Sequence, residues 1–266
     1  MPSSTEHTAT LGDQPVFWRA AQEGGRPSAA AGAPVLYLHG VPASSDIWQP
    51  FLDRTGGIAP DLPGFGRTGK RGDLDFTIDG YARFVEDFLA LVGLERVRLV
   101  VHGWGAAGLV WAQAAPERVE RLVVIDAVPL LPGYRWHRLA RAWRAPGIGE
   151  MVMGATSRFA MRRTMPATAV AASWPHFDQG TQRAILRLYR SSPEERLAAA
   201  GAQLARITSP ALVVWGDRDT FVEPRFADAY AAALGDARAH HVPDAGHWPW
   251  CDCPEVVDRV ADFLAH

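Results

Sequence analysis

The sequence predicts an α/β fold: a mostly parallel, eight-stranded sheet with helices on both faces. Three observations predict it. Strand-like and helix-like segments alternate along the chain, several strand segments are continuous apolar runs, and the alternation stops once, over residues 129–206. Continuous apolar runs mark strands buried on both faces, and alternation with helices implies right-handed parallel crossovers.

The elements follow in order. Residues 14–20 (QPVFWRA) read as a strand paired with residues 5–11, and a Gly- and Ala-rich stretch, 23–33, reads as a loop. PVLYLH (34–39) is a buried strand, and Ser44 and Ser45 cap a short helix running to residue 53. GIAPDL (57–62) is a further strand. From Thr77 to Val92, apolar residues at 78, 81, 84, 85, 88, 89 and 92 keep helical spacing. RVRLVVH (96–102) is a strand, 104–115 an Ala-rich helix, and RLVVIDAV (121–128) the next strand. After the helical stretch come PALVVWGD (210–217, strand), FADAYAAAL (helix), RAHHVPD (strand) and a last helix over 254–265. The domain reading is a core of residues 1–128 and 207–266, with residues 129–206 inserted as a helical cap.

Composition narrows the function. Hydrophobic residues make up 48% and charged residues 21% of the 266, which excludes a disordered chain. A net charge of -2 supplies no basic field for nucleic acid or an anionic membrane. The longest apolar runs are strand-length, and the polar start MPSSTEHTAT lacks a signal-peptide core. The two cysteines, Cys251 and Cys253, form no disulfide framework, so the expected location is the cytoplasm. With His247 they fall short of the four ligands of structural zinc, so no metal is expected. No cofactor is expected either: GFGRTGK (64–70) lacks phosphate-loop spacing, and no dinucleotide fingerprint is present. Ten tryptophans announce large apolar contact surfaces.

In open α/β sheets ligands bind beyond the carboxyl ends of the strands. The polar residues there are His39, Asp61, Asp126, Asp217, Asp219 and His247, with Gly40, Gly103 and Trp104. HGVPASSDIW (39–48), APDLPGFGRTGK (59–70), LVVHGWGAAG (99–108), VVWGDRD (213–219) and DAGHWPW (244–250) together resemble the ordered signature of the α/β-hydrolase fold. The pattern is closest to the haloalkane dehalogenase and soluble epoxide hydrolase branch, over residues 34–128 and 208–265. That branch carries its nucleophilic Asp in an H-D-W-G turn. Here the turn reads His102-Gly103-Trp104-Gly105, so the nucleophile position holds glycine and no covalent ester intermediate can form on its side chain.

The resemblance implies the remaining roles. His247 is the base and Asp219 the acid that orients it, with Asp217 the nearer-to-strand alternative. Asp126 is either a second partner of His247 or a helix cap. The backbone N–H groups of Val41 and Trp104 form the oxyanion hole. Valine at 41, where many dehalogenases carry a halide-gripping Asn, disfavours halide release. Tyr134 and Tyr189 stand where epoxide hydrolases use cap tyrosines, and His39, Trp104, Trp136 and Trp248 join them as candidate substrate contacts. Trp143, Met151, Met153, Phe159, Met161, Met165, Trp174 and Phe177 divide between lining an apolar pocket and fastening the cap. Arg138, Arg141, Arg144, Arg162 and Arg163 suit solvated helix faces.

Three functions are compatible with this reading. The first is general-base chemistry by a His247–Asp219 dyad without a covalent intermediate, of lyase, cyclase or water-activating type. The second is an epoxide hydrolase, dehalogenase or esterase whose nucleophile has been replaced at 103. The third is a ligand-binding protein without catalysis. The expected partner is a small or medium apolar or amphipathic organic molecule, with the chain a monomer or homodimer.

Overall fold

The computed structural model describes residues 4–21 and 32–266; the loop expected at 23–33 lies, except for its last two residues, outside them. The strands are β1 (Thr5–Leu11), β2 (Gln14–Ala21), β3 (Val35–Leu38), β4 (Gly57–Pro60), β5 (Val97–His102), β6 (Val119–Ile125), β7 (Ala211–Gly216) and β8 (Ala237–Val242). Among the described residues they form one eight-stranded sheet in the order β1-β2-β4-β3-β5-β6-β7-β8. β1 and β2 pair antiparallel with each other, β2 pairs antiparallel with β4, and the remaining pairings are parallel.

Helices α1 (Gln49–Thr55), α2 (Ile78–Val92) and α3 (Ala107–Ala114) connect the first six strands. The β6–β7 connection holds α4 (Arg138–Arg144), α5 (Ile148–Gly154), α6 (Arg158–Met161), α7 (Ala167–Ser173), α8 (Gln179–Ser191) and α9 (Glu194–Ala200), with no strand among them. α10 (Arg225–Ala233), α11 (Pro249–Asp252) and α12 (Glu255–Ala265) complete the chain. The four-residue α11 begins two residues after His247, at a Pro that fits the first turn of a helix.

Side-chain alternation lets the central strands close two cores at once. Leu36, Leu38, Leu99, Val101, Leu122, Val124, Val213 and Trp215 point into the core under α2, α3 and α10. Val35, Tyr37, Val100, Val123, Ile125, Leu212 and Val214 point into the core under α1 and α12. Such burial stabilises by roughly 1.5–3 kcal/mol per large aliphatic side chain, before chain entropy is set against it. α2 shows why its helix forms where the spacing predicts. Thr77 caps it by accepting from the Gly80 amide at 3.0 Å, and Ile78, Tyr81, Phe84, Val85, Phe88 and Leu89 form its buried stripe. Ser44 caps the turn that leads into α1, as expected, and its hydroxyl donates to the Ala172 carbonyl at 3.1 Å.

Candidate functional site

Five loops meet at the carboxyl edge of the parallel strands. β5 ends at His102, and the chain turns through Gly103 at φ +52° into α3. A side chain is strained in that left-handed region, and glycine is not. The turn is packed against the loop after β3. A Cβ on Gly40 would lie 3.1 Å from the Gly103 Cα and 3.2 Å from the His102 carbonyl oxygen, so glycine at 40 permits this close approach. The Val128 amide donates to the Gly103 carbonyl at 2.9 Å and holds the turn from the other side. Val41 and Trp104, the expected oxyanion donors, flank Gly103 on the wall of one cavity.

His247 hangs over this turn. Its Nδ1–H donates to Asp219 Oδ2 at 2.7 Å, and its Nε2 stands 3.6 Å from where a Cβ on Gly103 would project. His102 Nε2–H donates to the His247 carbonyl at 2.7 Å, tying the loop that carries the imidazole to the end of the central strand. Burial pushes the His102 pKa well below the ordinary histidine value, so this ring is a neutral strut.

Asp219 lies after β7 and is held as an acceptor. Besides the imidazole it receives the Phe221 amide at 2.7 Å and the Val222 amide at 3.1 Å. Asp126 lies after β6 and is also buried, with φ +40°, the one positive-φ non-glycine among the described residues. Its Oδ1 accepts from the Gly216 amide at 3.1 Å, and its Oδ2 has no partner. Burial, and next the Asp219 charge, push its pKa well above the ordinary carboxyl value. Asp219 accepts from three donors, whereas the Asp126 carboxyl accepts from one, and burial favours its neutral form. The hydrogen bond to the imidazole is made by Asp219. Asp126 does not cap a helix, because its carboxyl binds β7. Asp217, the alternative acid, accepts from His241 Nδ1 at 2.6 Å, away from His247.

Asp126, Asp219 and His247 bring donor atoms within 4.8 Å of one another, the one such cluster found among the described residues. The Nδ1–Oδ2 separation of 2.7 Å is a hydrogen-bond length. Tetrahedral zinc holds its ligand atoms about 3.3 Å apart, so the arrangement fits a dyad better than an ion.

The cavity above Gly103 has a volume of about 270 Å³. It brings together the predicted contacts Trp104, Tyr134, Trp136, Tyr189 and Trp248 with His247. Trp104 stacks on Trp136 at 5.5 Å, and Tyr189 packs edge-on against Trp104 at 5.2 Å. Trp143, Met161, Met165 and Phe177 also line it. Met151 and Phe159 do not: they are 69% and 68% exposed on the outer face of α5 and α6. Met153 is buried in the core. Arg144 spends its guanidinium on the carbonyls of Tyr189 and Ser192. His39 is corrected from a ligand contact to a loop tie. Its Nδ1–H donates to the Gly40 carbonyl and its Nε2 accepts from the Leu62 amide, both at 2.9 Å, which leaves no ring nitrogen for a substrate.

The cavity residues that the sequence pattern does not single out include His137 and Phe221. His137 caps α4 by accepting from the Ala140 amide at Nδ1, and burial, then the nearby His247, lower its pKa to about 4. Its signal in the sequence is its place directly before a helical run. A wider polar recess of about 720 Å³, with Arg138, Arg141, Glu194 and Glu195 on its walls, adjoins the cavity and shares Tyr134, His137 and Phe221 with it.

With this geometry in place, similarity to known proteins can be read. Residues 35–260 match the family model described as "Alpha/beta hydrolase family". A haloalkane dehalogenase of Mesorhizobium japonicum is 29% identical, over 88% of this chain and 85% of that protein. A haloalkane dehalogenase of Bradyrhizobium diazoefficiens is 29% identical, over 90% of each. The crystal structure of the haloalkane dehalogenase DbeA from Bradyrhizobium elkani superposes with a TM-score of 0.84 at 26% identity, covering 99% of this chain and 98% of that one. On the sheet order, the turn at Gly103 and the extent of these matches, the chain belongs to the alpha/beta hydrolase family.

Proposed function

We propose that this protein is a general-base enzyme of the alpha/beta hydrolase family that works without a covalent nucleophile. The observation that carries the reading is the pairing of an oriented imidazole with an empty nucleophile position. His247 keeps its 2.7 Å hydrogen bond to Asp219, and its Nε2 faces a glycine. In this reading the space above Gly103 admits a water or the reacting part of an apolar organic substrate. His247 Nε2 takes the proton, and the Asp219 carboxylate stabilises the imidazolium that results. The amides of Val41 and Trp104 receive the negative charge that develops on oxygen. Residues 129–206 serve as the cap that keeps water from the rest of the cavity.

A screen of the protein beside its His247→Ala and Gly103→Asp variants tests this. Turnover of an activated carbon acid or lactone that survives in wild type and vanishes in His247→Ala supports the reading; equal rates in the two overturn it.

A second reading has its own support: a dehalogenase, epoxide hydrolase or esterase whose nucleophile has been replaced. Two relatives at 29% identity are named haloalkane dehalogenases. A side chain at 103 would also point towards His247. Here Gly103→Asp gains hydrolysis of haloalkanes or epoxides through a covalent adduct, and wild type shows no turnover of any kind.

A further inference from the structure

Large apolar side chains come to the surface together on the β6–β7 connection. Four are exposed among the described residues. Three of them, Ile148, Met151 and Phe159, stand on α5 and α6, and the fourth, Leu91, lies on α2. Ile148 and Met151 are three residues apart on one helix and so share its outer side. Met153, Met161 and Met165 of the same segment are buried. The segment therefore has an inner apolar face, which is packed, and an outer one, which is not.

The outer face is also basic. Residues 151–177 contain no Asp or Glu and hold Arg158, Arg162 and Arg163, all exposed. The Arg163 guanidinium lies 4.8 Å over the Phe159 ring, and none of the three arginines forms an ion pair among the described residues. The one acid of α5, Glu150, is already paired with Arg190 at 2.7 Å. The chain's net charge of -2 conceals this local excess of positive charge. Ala155, Ala160 and Thr164, interleaved with these residues, are exposed and also line the cavity above Gly103, so the cavity wall under this face is a single layer of chain.

The occupant follows from the chemistry. A second copy would set the three arginines against the same three across a two-fold axis, and like charges repel. An anionic lipid surface satisfies both halves of the face. Apolar side chains enter the acyl boundary, and guanidinium groups reach the phosphates. An acidic protein would satisfy the arginines alone, whereas an apolar cavity one layer behind the face suits a phase in which apolar molecules dissolve. We propose that the outer face of α5 and α6 docks on an anionic lipid surface, with Ile148, Met151 and Phe159 in the interface and Arg158, Arg162 and Arg163 on lipid phosphates.

The test floats the whole protein with vesicles of phosphatidylcholine alone and of phosphatidylcholine mixed with phosphatidylglycerol. Binding to the mixed vesicles should be stronger by about tenfold or more, and added salt should erase the difference. Arg158→Glu/Arg162→Glu/Arg163→Glu should lose the preference, and Met151→Asp/Phe159→Asp should bind neither kind of vesicle. All five side chains are exposed, so both variants should keep the wild-type unfolding midpoint. If the unaltered protein does not bind the mixed vesicles, or binds both kinds equally, the proposal is overturned whatever the variants do. Retention on polyglutamate in that case assigns the face to an acidic protein. Anionic preference that the charge-reversed variant keeps overturns it as well, as does a dimer in light scattering that Met151→Asp/Phe159→Asp disperses. No turnover is read, so the outcome is independent of the general-base reading.

Discussion

His247 Nε2 lies 3.6 Å from the position a Cβ on Gly103 would occupy, on a turn whose backbone is in the left-handed region. The obstacle to a side chain there is local. The built Cβ meets the Gly40 Cα at 3.1 Å, and the φ of +52° costs a non-glycine residue about 1–2 kcal/mol. Gly103→Ser is therefore expected to fold with a stability loss of that order, measured by urea unfolding. Its hydroxyl comes within reach of the imidazole. The variant should form an acetyl-enzyme with p-nitrophenyl acetate, seen as one added acetyl group by intact mass, where wild type forms none. A folded variant without adduct would show that the dyad does not activate a group at this place.

The dyad itself predicts an asymmetric pair of variants. On the proposed general-base function, His247→Gln removes the base and should lower turnover by about 10²–10⁴-fold. Asp219→Asn keeps an oxygen for the Phe221 and Val222 amides. It also presents an amide to the imidazole, which favours the wrong tautomer. It should fold and lose activity nearly as far. Initial rates with thermal unfolding as the fold control check both; an active Asp219→Asn would mean that Asp126 is the working acid.

The mostly parallel eight-stranded sheet and the succession of strands and helices along the chain were readable in the sequence. Apolar runs such as RLVV and ALVVW identify buried parallel strands. What could not be read depends on where side chains end. His39 looks like a ligand contact at a strand terminus, yet both of its nitrogens are consumed by loop amide and carbonyl groups. Met151 and Phe159 have the composition of a pocket wall, and the rotation of two short helices turns them to solvent. His137 enters the cavity because it caps a helix whose start has no Ser, Thr, Asn or Asp to mark it.

Asp126 offers a test of carboxyl charge. Its raised pKa comes from burial first and the Asp219 charge second. A carboxyl whose folded pKa exceeds its unfolded value destabilises the fold as pH rises from the unfolded value, near 4, towards the folded one. Asp126→Asn copies the neutral acid and removes that proton. The variant should keep activity within a few-fold, and its stability should fall less than that of wild type between about pH 4 and neutrality. A loss of activity as large as that of Asp219→Asn would mean that Asp126 carries the negative charge in the working site.

The buried histidines push in the opposite direction. His39 and His102 have lowered pKa values through burial, and His137 is lowered from 6.5 to about 4 by burial and by His247. Below pH 6.5 the unfolded chain takes up protons at these rings that the folded chain refuses. Stability therefore falls as the pH drops from 6.5 towards 4, and the His137 share levels off once the folded ring is protonated as well. The His137 shift corresponds to at most about 3 kcal/mol over that window. His137→Asn isolates it, because asparagine can cap α4 as the imidazole does and does not titrate. Unfolding midpoints of the variant should fall less steeply with acidification between pH 6.5 and 4 than those of wild type, with the two proteins similar at pH 8. Parallel slopes would mean that the ring is already solvated and protonated in the folded protein, and that the cavity wall at α4 is open to water.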